Sequence, residues 1–85
     1  MDELIRAVIE HFEDEMEDIC TYLRLARESR QRDCSYLAII FSSIAKDEYT
    51  HAEHLRNYLI LKGLYQPESV HRELEAKWQK IQDMD

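Results

Sequence analysis

Eighty-five residues set a ceiling of one small domain, residues 1–85, with a poor ratio of buried volume to surface. A formal charge of -7 argues against nucleic acid as a partner, because no basic stripe is available to neutralise phosphates. Acidic residues at positions 2 and 3 and the lack of a long apolar run leave neither a signal peptide nor a membrane span to be read, and a single glycine and a single proline point to an all-helical chain.

The first predicted helix covers about 2–30, with acidic residues in its first turn and arginines in its last, as the helix dipole favours. The polar run Ser29-Arg30-Gln31-Arg32-Asp33 breaks the pattern, and Asp33 is the expected N-cap of the next helix. That second helix covers about 34–62 and stops at Gly63, the residue type expected just past a helix end. Pro67 then opens a shorter helix to about 83, with Val70, Leu74, Trp78 and Ile81 on one face. Cys20 and Cys34 fall on the first helix and at the start of the second, roughly 14 Å apart along the axis by helix rise. They do not form a disulfide framework, and a reduced, cytoplasmic compartment is expected.

A regular spacing of four and three runs through both long helices. The first seam reads Ile5, Val8, Phe12, Glu15, Ile19, Tyr22 and Ala26; the second reads Leu37, Phe41, Ile44, Glu48, His51, Leu55 and Tyr58. Beside the second lies a heptad of Ala38, Ala45 and Ala52, small residues that admit a close neighbour. Such stripes face inward in bundles and coiled coils, and a short loop makes the two helices antiparallel neighbours. Two helices each about 42 Å long cannot enclose a core alone. The third covers part of the stripe; a second copy, completing a four-helix bundle, covers more. An obligate homodimer or larger is expected.

Only Glu15, Glu48 and His51 interrupt the seams with titratable groups. Burying an unpaired carboxylate costs several kcal/mol, so three intrusions require a cause. In an antiparallel hairpin, positions 15 and 48, and 15 and 51, are symmetric about points inside the polar turn, so all three stand at one level. Glu48 and His51 are three apart and share a helical face. A Glu facing a Glu-x-x-His pair is half of the arrangement used by di-metal carboxylate bundles, and a twofold dimer supplies the full set. Its four carboxylates would neutralise two divalent ions. Glu and His suit Fe(II) and Mn(II), and no thiolate sits in the seam to favour zinc or copper(I).

The segment Asp47-Glu48-Tyr49-Thr50-His51-Ala52-Glu53-His54-Leu55 resembles the D-E-x-x-H-A-x-x-L signature of ferritin-like proteins and rubrerythrins. Glu15, seven residues before Tyr22 and eleven before Ala26, is similar to the Glu…Tyr…Ala spacing of that superfamily. With half of the four-helix fold, the chain looks most like the short encapsulated ferritins over roughly residues 5–62. That resemblance implies a ferroxidase whose di-iron site forms between subunits, with dimers that build a ring inside an encapsulin shell. It implies that Glu15 chelates one metal, Glu48 bridges both and His51 supplies a terminal nitrogen, and that Fe(II) is oxidised by O2 or peroxide for storage or detoxification. Asp14 and Glu17 match the flanking acidic residues implied in iron entry. Two features depart from the pattern: the chain ends Gln-Asp-Met-Asp rather than in an apolar and basic targeting tail, and no rubredoxin-like cysteine pairs follow.

Blander readings compete at each position. The Glu15, Glu48 and His51 layer could fix register without metal, in a non-catalytic dimerisation module. Tyr22 and Tyr58 read as core, His11 and His54 as flanking residues, with His54 and Asp47 a lesser candidate for a second metal. Asp14, Glu17 and Asp18 read as a solvated acidic face, and Cys20 and Cys34 as inert.

Overall fold

The computed structural model describes residues 2–64 and 67–84, the side chains of 67–71 and 84 excepted. It contains three helices, α1 (Glu3–Gln31), α2 (Ser35–Leu61) and α3 (Pro67–Met84). No strand occurs among the described residues, so the all-α expectation holds, with helix ends within a residue or so of those read from sequence. Among the same residues, no helix is long and apolar enough to cross a membrane.

α1 begins where the Asp2 carboxylate accepts a hydrogen bond from Leu4 N at 2.7 Å. Its end differs from expectation. Asp33 is not the N-cap of α2; it takes a left-handed backbone at φ 59, and Cys34 occupies the cap with no side-chain capping hydrogen bond. Asp33 N donates to Arg30 O and Cys34 N to Ser29 O, the paired bonds of a Schellman stop. α2 ends identically: Gly63, at φ 71, donates to Ile60 O, and Leu64 N donates to Leu59 O. The same device therefore closes both long helices, with glycine at one stop and aspartate at the other.

His51 meets Glu15, and Tyr22 meets Phe41 with ring centroids 6.0 Å apart, so α1 and α2 run antiparallel. The buried rows are not quite the predicted seams. On α1 they are Phe12, Met16, Ile19, Leu23 and Ala26; on α2 they are Ala38, Ala45, Ala52 and Leu59, with Ser42. Met16 and Leu23 thus take the places expected of Glu15 and Tyr22. The alanine heptad explains the rotation, because a row without long side chains lets the α1 backbone come close and draws the contact line over itself. α3 closes the other side, burying Leu74 and Ile81 completely and stacking Trp78 on Tyr49 at 4.9 Å. Val70 lies outside the described side chains.

Turned to the edge by that rotation, the predicted second seam stays half-open in the single chain. Phe41, Ile44, Glu48, Leu55 and Tyr58 are partly exposed, and Leu37 and His51 are exposed. Ile5 and Val8 continue this open strip along α1.

Candidate metal centre

Glu15 sits midway along α1, and Glu48 and His51 project from α2 one turn apart. Antiparallel pairing brings the three to a common level, as their numbering implied. His51 Nδ1 lies 3.5 Å from Glu15 Oε2 and 4.0 Å from Glu48 Oε1, and one ligand atom from each of the three residues falls within 4.8 Å of the others. No other group of three or more His, Cys, Asp or Glu side chains clusters this closely among the described residues.

The environments differ. Each carboxylate side chain is only 18% exposed, whereas the imidazole is 57% exposed. Glu15 Oε2 is cut off from water and makes no hydrogen bond; the His51 nitrogen at 3.5 Å gives it an ion-pair contact only. Glu48 is held up to about pKa 7, first by its hydrogen bond with Glu15, then by burial and the Glu15 charge; His51 pulls it the other way. Two carboxyls thus face each other, and Glu48 keeps its proton toward neutrality. Asp18 is pushed up as well, mainly by burial and then by Glu48 and Asp14.

This arrangement suits a divalent cation. The ion's charge would replace the Glu48 proton, and Glu15 Oε2 would gain a ligand bond. Donors on opposite sides of a first-row ion are about 4.2 Å apart, so small side-chain rotations close a set now spread over 4.8 Å. Three ligands are too few to hold two ions, and the exposed imidazole marks the open side.

The other sequence candidates lie outside this cluster. Asp14 and Glu17 are exposed on α1, with Asp14 reaching the site only through its effect on Asp18. Asp18, expected on the solvated face, is exposed, and its carboxyl also meets that of Glu48. Its signal was available: Glu15 and Asp18 are three apart on α1, as Glu48 and His51 are on α2. His11 and His54 line a groove of about 520 Å3 with His51, Leu4, Val8 and Leu55. Tyr22 packs on Phe41, and Lys62 Nζ lies 5.7 Å from the Tyr58 ring. Cys20 and Cys34 are exposed free thiols.

No family model, curated protein or solved structure matches this chain.

Proposed function

We propose that this chain is a ferroxidase-type di-iron protein that oxidises Fe(II) at a site shared between two copies, in iron storage or detoxification. The observation that carries the reading is the convergence of Glu15, Glu48 and His51 at one level, with a buried Glu15 oxygen that makes no hydrogen bond, on an apolar strip left half-open. Two copies facing across that strip would contribute two Glu15, two Glu48 and two His51, enough for two ions. By the resemblance, Glu48 would bridge the ions, with Glu15 and His51 as terminal ligands. Bound iron would supply one-electron redox chemistry and open coordination positions, with Mn a second candidate for the same donors. The chain's part is to hold the ions close, give up the Glu48 proton as they enter, and keep water from the carboxylates. Asp14, Glu17 and Asp18 would draw Fe(II) toward the layer. The resemblance adds an encapsulin shell as the enclosing partner.

One observation favours a second reading. A Glu48 carboxyl that keeps its proton toward neutrality removes one charge from the layer without metal, as a non-catalytic dimerisation module would require. Anaerobic loading with Fe(II), then exposure to air, separates the two. A ferroxidase turns over many irons per dimer; a structural layer oxidises two at most. Sedimentation with and without Fe(II) should show metal-linked association that Glu48→Ala abolishes, and an unchanged metal-linked dimer in that variant would count against the site.

A further inference from the structure

On the side of the hairpin that α3 covers, Lys77 Nζ donates a hydrogen bond to Cys20 Sγ at 3.1 Å, joining residues 57 positions apart. Packing positions both ends. Cys20 follows the fully buried Ile19 and stands beside the buried row of α1, one turn from both Met16 and Leu23. Lys77 lies between Leu74 and Ile81, both fully buried, and precedes Trp78, which stacks on Tyr49. The lysine is half-buried; the thiol is exposed and free. An amine is therefore held against a sulfur that dissolved oxidants can reach.

We propose that Cys20 and Lys77 are an oxidative cross-linking site, in which hydrogen peroxide triggers a sulfur–nitrogen bond that ties α3 to α1. In the first step, sulfur attacks one peroxide oxygen and the O–O bond breaks. Sulfur loses two electrons to the peroxide, the thiol becomes a sulfenic acid, and the other oxygen leaves as water. In the second step, the Lys77 ammonium gives one proton to the sulfenic hydroxyl and a second to solvent. Its nitrogen bonds to sulfur as the S–O bond breaks, and a second water departs with no further change in electron count. The product lacks two hydrogens relative to the reduced chain, and an added thiol reverses it. Rotation within the four-carbon lysine stem closes the remaining gap without moving either helix. The link closes a long loop between the hairpin and α3, which restricts the unfolded chain and makes the oxidised protein harder to unfold. None of this uses the carboxylate layer, so the cross-link and the iron reading stand or fall separately.

The test treats the full chain, stripped of metal with a chelator, with hydrogen peroxide and digests it under non-reducing conditions. Mass spectrometry should find the Cys20 peptide joined to the Lys77 peptide, lighter by two hydrogens and separated again by dithiothreitol. The oxidised protein should melt higher than the reduced one. Cys20→Ser and Lys77→Arg should lose both effects, and Cys34→Ser should keep them. Accumulation of Cys20 as sulfinic acid, its pairing with another cysteine, or survival of the light peptide in Lys77→Arg would overturn the proposal.

Discussion

At the scale of single residues, the molecule's least comfortable groups identify themselves by what they lack. Glu15 Oε2 and Ser42 Oγ are both buried without a hydrogen bond, yet they call for different explanations. Ser42 lies on the alanine row, 3% exposed and away from the charged layer, where a hydroxyl gains nothing. Ser42→Ala should therefore raise stability by about 1–3 kcal/mol, read as a higher melting temperature, since it removes a desolvated group without leaving a cavity. Glu15 instead faces Glu48, and the pair makes stability depend on pH. Glu48 has an ordinary value of 4.5 and a folded value of about 7. Between those values the folded chain keeps a proton that the unfolded chain has released, so stability falls as pH rises through this window. Metal-free protein should lose stability across it through this group, by about 3 kcal/mol in order of magnitude, and Glu48→Gln should flatten that part of the profile. Metal loading has the opposite sign. Each proton displaced makes affinity rise about tenfold per pH unit up to about pH 7. Thermal melts of parent and Glu48→Gln at pH 5 and pH 8, with and without Mn(II), check both slopes.

The element scale shows which information the sequence carried plainly. Three helices and their ends were legible because propensity, a lone glycine and a proline at the first turn all act locally. Asp33 was misread because an aspartate before a helix suits both an N-cap and a left-handed stop, and the choice depends on Arg30 and Ser29 offering carbonyls behind it. That ambiguity has a measurable consequence. Asp33→Gly should stabilise the chain by up to about 1–2 kcal/mol, the cost of a left-handed backbone for a residue with a Cβ. Gly63→Ala should destabilise it by a similar amount; an added Cβ there meets nothing within 4 Å, so the loss is purely conformational. Equal melting temperatures in the two variants would show that the paired helix stops are not under backbone strain. The seams were legible to within one residue of rotation. Periodicity places Phe12, Ile19 and Ala26 on the right stripe but cannot choose between Glu15 and Met16, because both flank the contact line. What decided it was the size of the α2 alanines, a tertiary property. The cluster of Glu15, Glu48 and His51 survived that rotation because its level depends on antiparallel numbering rather than on the angle of the helix. Asp18 did not stand out, since an acidic run on an acidic helix reads as solvent-facing until a carboxylate from α2 is seen against it.

For the molecule as a whole, the question is what covers the strip that carries the carboxylate layer. The buried core is shared among α1, α2 and α3, while Leu37 and His51 are exposed and Phe41 only partly covered along the strip. Substitutions in the layer distinguish the single chain from an assembly. Glu15 is mostly buried within one chain, so Glu15→Leu removes a buried oxygen that makes no hydrogen bond and the repulsion against Glu48 whether or not a second copy is present. Replacing buried ionic groups by apolar ones of similar size is often neutral or favourable by about 1–4 kcal/mol, and the metal-free melting temperature should rise accordingly. His51 is exposed in one chain, so His51→Leu gains little there. It becomes stabilising only if another copy buries it, and then the gain must grow with protein concentration. On the proposed di-iron reading both variants should lose iron oxidation, because each would remove a ligand from both halves of a symmetric site. A register-setting polar layer predicts the reverse: its loss loosens assembly and has no iron chemistry to abolish. Melting temperature over a concentration series, measured beside the rate of Fe(II) oxidation for Glu15→Leu and His51→Leu, reads all these effects together. A Glu15→Leu protein that melted lower and still oxidised iron at the parent rate would remove both the metal site and the reason for a carboxylate at this level of the helix.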